Sequence, residues 1–242
     1  MFSRIALAKM IDQSLLRPEA SEDEIIRFCE ESRQEHFATV VVYPCWLGAA
    51  WRCLRDSDVK LGTVIGFPFG TQTTACKVFE ARQAMSLHAN ELDMVVNIGA
   101  LKSGDFDVVQ RDIEEVVTAA KSPDRSDDVL VKVIVETGYF LPEEADKLEK
   151  VCRIVQEVRA DFVKTCTGFG PRGASPDDVK FLRQAAGRDI GVKAAGGIRT
   201  YVQALALINA GADRLGTSSG IAILEGYERA EEPIAEEALG KE

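Results

Sequence analysis

Eight times along the 242-residue chain, a short run rich in β-branched and other apolar residues gives way to a segment of helical periodicity. The runs fall at Ile11–Ser14, Thr39–Tyr43, Leu61–Gly66, Glu91–Val96, Val129–Val135, Asp161–Thr165, Gly191–Ala194 and Asp213–Gly216. Val40-Val41-Val42 and the stretch from Val129 to Val135 are near-continuous apolar runs, as strands covered on both faces require. Alternating β and α implies a parallel sheet. Eight units of roughly 30 residues each favour closure into a barrel over an open, doubly wound sheet. The expected fold class is α/β, a single-domain (β/α)8 TIM barrel over 1–242. A helix is expected at about 2–9 and an acidic C-terminal helix or tail at about 226–242.

The intervening segments carry helix start signals. Ser21-Glu22-Asp23-Glu24 offers a cap followed by acids, and Thr74 opens another helix. Pro142-Glu143-Glu144 and Ser175-Pro176-Asp177-Asp178 put proline and acids in a first turn, while Gly187 and Gly211 sit where helices hand over to strands.

A net charge of -10 and no run of Lys or Arg longer than two residues argue against nucleic acid or an anionic membrane as partner. A small anionic substrate is still allowed, because a local cluster of N–H groups and cations overcomes global charge. No stretch approaches the roughly 20 apolar residues of a membrane span, and the N-terminus lacks a signal-peptide cleavage site. Cys29, Cys45, Cys53, Cys76, Cys152 and Cys166 show no CxxC spacing, and His36 and His88 are the two histidines. No metal site, cofactor or disulfide framework is therefore expected, and a reducing cytoplasm is the expected location.

Chemistry in such a barrel belongs at the C-terminal strand ends. Asp12, Asp93, Asn97, Lys132, Glu136, Lys164 and Lys193 fall on or near them. Lys132, Lys164 and Lys193 are embedded in the fifth, sixth and seventh apolar runs, where a charged amine is costly. Neighbouring strands lie about 4.8 Å apart, so inward lysines at one height would crowd each other. Crowding and desolvation push an ammonium toward the free amine that imine formation needs. Strand alternation puts Asp93 on one face with Glu91, Val95 and Asn97, where its carboxylate would serve as acid/base partner and counter-charge. Glu136 is read as an ion-pair partner for Lys132.

Two turns suit a phosphate. Ala194-Ala195-Gly196-Gly197-Ile198-Arg199-Thr200 follows the seventh run, and Gly216-Thr217-Ser218-Ser219-Gly220 follows the eighth. Glycines allow close backbone approach, and helix N-termini present N–H groups to an anion. Gly168 offers a third wall.

These segments, with Ile11-Asp12, Leu15-Leu16, Val64-Ile65-Gly66-Phe67-Pro68, Glu91 to Gly99, Val131 to Thr137 and Asp161 to Thr165, resemble the deoxyribose-phosphate aldolase family from about Ile11 to Leu224. The resemblance implies reversible cleavage of 2-deoxy-D-ribose 5-phosphate to D-glyceraldehyde 3-phosphate and acetaldehyde through a lysine Schiff base. It assigns Lys164 as imine former, Lys193 as the lysine that tunes it, Asp93 as acid/base, and Lys132 and Asp12 as supporting groups. Gly168, Gly196, Gly197, Ser218 and Ser219 match phosphate-contacting positions. The implied partners are small phosphorylated sugars and aldehydes, with a homodimer or higher homo-oligomer possible. Gln13, Cys166 and Val41 depart from the family's usual residues, and the first two put the acceptor-aldehyde pocket in question. The alternatives are a Schiff-base aldolase of the same fold with another substrate, or a phosphosugar-binding barrel without catalysis.

Overall fold

The computed structural model describes residues 2–121 and 129–231. Among them, eight parallel strands close into a barrel in sequence order, the first pairing with the last. The strands are β1 (Ile11–Leu15), β2 (Thr39–Val42), β3 (Lys60–Ile65), β4 (Glu91–Val95), β5 (Leu130–Ile134), β6 (Phe162–Lys164), β7 (Gly191–Ala195) and β8 (Arg214–Thr217). The expected barrel is found, with no strand limit shifted by more than one residue.

The helices around it are α1 (Arg4–Ala8), α2 (Glu22–Gln34), α3 (Leu47–Leu54), α4 (Thr74–Ser86), α5 (Ile98–Ser103), α6 (Phe106–Ala120), α7 (Ala145–Glu157), α8 (Pro176–Ala186), α9 (Tyr201–Asn209) and α10 (Gly220–Glu231). Ser21 and Ser175 close capping boxes with Glu24 and Asp178, which satisfies first-turn N–H groups and fixes where α2 and α8 begin. Thr73, one residue before the expected start, caps α4. Pro142–Glu144 forms a 3-10 turn that leads into α7. The N-terminal helix is shorter than expected, and α10 begins before position 226, while 232–242 of the expected acidic tail lie outside the described residues. No helix among the described residues is long and apolar enough to cross a membrane.

Alternation along each strand builds two layers with different chemistry. Val40, Val42, Leu61, Leu92, Met94, Val131, Val133, Val163, Val192 and Leu215 point outward and join the helices in one buried core. The residues between them point inward, and there the barrel interior holds charge: Asp12, Glu91, Asp93, Lys132, Lys164 and Lys193 are all buried. Register sets their spacing, since Asp93 is the Cα partner of Lys132 and Lys164 that of Lys193.

Candidate active site

The inward layer is a single ion-pair network. Lys164 Nζ lies 2.7 Å from Asp93 Oδ2, and Lys193 Nζ lies 2.6 Å from the same oxygen. Lys193 Nζ also sits 2.5 Å from Asp12 Oδ2. Lys132 Nζ reaches the other Asp93 oxygen at 2.9 Å, Asp12 Oδ2 at 3.3 Å, and Glu91. Arg214 closes the ring with its Nε 2.7 Å from Asp12 Oδ1 and its Nη2 3.1 Å from Glu91 Oε2. The cluster thus counts four basic groups against three carboxylates, one positive charge in excess if every basic group is protonated. A buried surplus charge is costly, so the network favours loss of one proton.

Lys193 and Lys132 are displaced in opposite directions. Burial drives Lys193 down, Asp12 and Asp93 oppose it, and Lys164 and Lys132 reinforce it, leaving its pKa at about 8. Burial also disfavours the charge on Lys132, but Asp12, Asp93 and Glu91 outweigh burial and hold it above the ordinary lysine value. Burial would lift Asp93, yet Lys132, Lys164 and Lys193 pull it well below the usual carboxylate range. Asp12 is lowered in the same way, with Lys132, Lys193 and Arg214 prevailing over burial. Lys132 is therefore a fixed cation, and Lys193 is poised to exchange a proton near neutral pH.

Above the network opens a cavity of about 260 Å³ lined by Lys164, Thr167, Gly168, Gly196, Gly197 and Ser218, among others. Lys164 is among its lining residues, whereas Lys132, Lys193, Asp93 and Asp12 are not. Gly216 faces this lysine layer, and a Cβ there would come within 3.0 Å of Lys193 Cε. Gly168, Gly196 and Gly197 have φ of 90°, 93° and 76°, a region L side chains rarely adopt, and a Cβ on Gly197 would meet open space. Their backbone can therefore approach a ligand closely.

Glu136 does not pair with Lys132; its Oε2 accepts from Thr167 N at 3.0 Å and Thr167 Oγ1 at 2.5 Å, because its φ of 52° turns the chain at the end of β5. Ser219 is not a lining residue, and its N–H is taken by Thr217 Oγ1 at 2.9 Å. The helix N-termini are already partly satisfied: Gln203 Oε1 accepts from Arg199 N and Thr200 N at 2.9 and 3.2 Å, and Gln13 Oε1 accepts from Gly220 N at 2.9 Å. Gln13 and Cys166 are not among the residues lining this cavity, and Cys166 Sγ lies 3.5 Å from Thr137 Oγ1. Asn97 caps α5, accepting from Ala100 N at 3.0 Å.

The family model described as DeoC/LacD family aldolase matches residues 6–226. The chain belongs to the DeoC/LacD family of aldolases. Within it, the chain is 51% identical over 223 residues to the deoxyribose-phosphate aldolase of Thermoanaerobacter sp. (strain X514), covering 92% of this chain and 97% of that one. It is 52% identical over 227 residues to the deoxyribose-phosphate aldolase of Thermococcus gammatolerans, covering 93% and 98%. Among solved structures, a putative deoxyribose-phosphate aldolase from Coccidioides immitis superposes with a TM-score of 0.87 at 36% identity, covering 93% of this chain and 87% of that chain. The deoxyribose phosphate aldolase from Aeropyrum pernix, described as tetrameric, gives 0.86 at 33% identity, with 94% and 93% covered.

In this DeoC/LacD barrel, sequence reasoning missed the network role of Arg214 and gave Glu91 only a shared face with Asp93. Arg214 sits at the start of β8 as the Cα partner of Lys193, and inward alternation from Gly216 could have identified it. Arg17 and Arg199 also line the cavity, with Arg17 held by Glu24 and Glu19. Their convergence depends on turn geometry, which no local pattern encodes.

Proposed function

We propose that the chain is a class I deoxyribose-phosphate aldolase, reversibly cleaving 2-deoxy-D-ribose 5-phosphate to D-glyceraldehyde 3-phosphate and acetaldehyde through an imine on Lys164. The observation that carries this reading is that, of the three buried strand lysines, Lys164 lines the cavity, together with Gly168, Gly196 and Gly197. The phosphate rests against those turns and holds the sugar's carbonyl over the amine, so remote binding becomes alignment.

The free amine of Lys164 adds to the open-chain aldehyde carbon, and loss of water gives the imine. Once protonated, the imine draws electrons. The C3 hydroxyl gives its proton to a base, the C2–C3 pair moves toward nitrogen, and D-glyceraldehyde 3-phosphate leaves an enamine behind. Protonation at C2 and addition of water then release acetaldehyde and restore the amine. Lys193 and Asp93 manage the protons: both amines share Asp93 Oδ2, so a proton passes between Lys164 and Lys193 across that oxygen. Lys132 and Asp12 hold Asp93 and Lys193 in place.

The oligomeric form of the Aeropyrum pernix relative supports a homo-oligomer here. The six unpaired thiols suit a reducing cytoplasm. The test is cleavage of 2-deoxy-D-ribose 5-phosphate followed by release of acetaldehyde. The wild-type chain turns it over and Lys164→Ala does not; near-normal activity in Lys164→Ala would remove the assignment.

A further inference from the structure

Glu136 has chemistry that the lysine network does not use. It lies just past β5 with φ 52° and ψ 63°, an uncommon conformation for a residue with a side chain. Its carboxylate is buried, and Oε2 takes both the N–H and the hydroxyl proton of Thr167, at 3.0 and 2.5 Å. Gly170 makes the space, since a Cβ there would come within 2.6 Å of Glu136 Oε1.

The consequence falls on Thr167, which lines the cavity between Lys164 and Gly168 in sequence. A hydroxyl has one hydrogen and two acceptor positions. The hydrogen is committed to Glu136, and one acceptor position is committed to Phe169 N at 3.0 Å. What is left is a single acceptor position. A threonine whose hydroxyl turned freely could donate or accept, whereas this one can only accept.

We propose that Glu136 is a positioning residue that fixes the Thr167 hydroxyl as a hydrogen-bond acceptor, so that the site selects substrates donating a hydroxyl between the reacting carbonyl and the phosphate. This rests on the aldolase reading above. In the synthetic direction the hydroxyl is the 2-hydroxyl of D-glyceraldehyde 3-phosphate. An acceptor lacking it leaves Thr167 unmatched in a site built for a donor.

The experiment compares kcat/KM for acetaldehyde addition to D-glyceraldehyde 3-phosphate and to 3-oxopropyl phosphate, which lacks the 2-hydroxyl. The wild-type chain should prefer the hydroxylated acceptor by roughly tenfold or more. In Glu136→Ala that ratio should fall toward one, while borohydride still traps acetaldehyde on Lys164 at wild-type yield. Glu136→Gln, whose carbonyl can replace Oε2, should keep most of the preference. Thr167→Val, of nearly unchanged shape, should lose it and covers the case in which Glu136→Ala fails to fold. Retention of the wild-type ratio in Glu136→Ala or Thr167→Val overturns the proposal, because a merely structural role would lower both rates together. A wild-type chain that turns over neither acceptor would instead sink the aldolase reading itself.

Discussion

Lys164 and Lys193 are Cα partners on neighbouring strands, and their amine nitrogens meet at one oxygen, Asp93 Oδ2, at 2.7 and 2.6 Å. Under the proposed mechanism this shared oxygen makes the two lysines exchange partners rather than isolated cations. Lys193, brought by burial to about 8, loses its proton progressively as pH climbs through that value. The pH profile of kcat should therefore carry a limb rising with a midpoint near 8. Lys193→Met should remove that limb and lower the rate at neutral pH by about 10²–10⁴-fold. Steady-state rates between pH 6 and 10 measure both effects, and an unchanged profile would contradict the exchange.

Asp93 has a structural consequence of its own. Its folded-state pKa lies well below the ordinary 3.8, so its stabilising contribution is present above 3.8 and lost as pH falls through the lowered value. Asp93→Asn leaves Lys132, Lys164 and Lys193 under-compensated and should cost about 3–5 kcal/mol of stability near neutral pH. Denaturant unfolding should show that loss, along with a smaller difference between wild type and variant in strong acid.

Gly216 sets the clearance for Lys193. A Cβ at this position would stand 3.0 Å from Lys193 Cε and 2.9 Å from Ala195 Cβ. Gly216→Ala should therefore overpack the interior by about 1–3 kcal/mol and displace the amine. Thermal unfolding together with kcat checks this: a lower Tm and a slower rate are expected, with the limb near 8 shifted.

The glycine wall can be tested through the phosphate. Gly197 faces open space at φ 76°, so a side chain there would strain the turn and, on the proposed reading, stand where the backbone meets the phosphate. Gly197→Val should raise KM for 2-deoxy-D-ribose 5-phosphate by about tenfold or more, a loss of at least ~1.4 kcal/mol in binding. For unphosphorylated 2-deoxy-D-ribose the effect should be much smaller.

The barrel was legible because strand alternation and helix caps are local. Val131 to Ile134 reads as a strand with Lys132 inward whatever surrounds it, and Ser175-Pro176 starts a helix wherever it occurs. The lysine trio was legible for the same reason, since an amine in an apolar run announces its own cost. What each lysine does was not legible. The charge state of Lys132 depends on Asp12 and Glu91, which lie far from it in sequence but within reach in space. Glu136 misled because β5 stops two residues before it, and its left-handed turn sends the carboxylate to Thr167. Gln13 likewise follows alternation outward, away from Asp12 and toward the start of α10.

The most direct test is to treat the wild-type chain with acetaldehyde and borohydride and map the modified peptides by mass. The account predicts one ethyl group, on Lys164, with yield rising as the pH is taken through about 8. An adduct found on Lys193 or Lys132 instead, or no adduct from a fully folded chain, would contradict it.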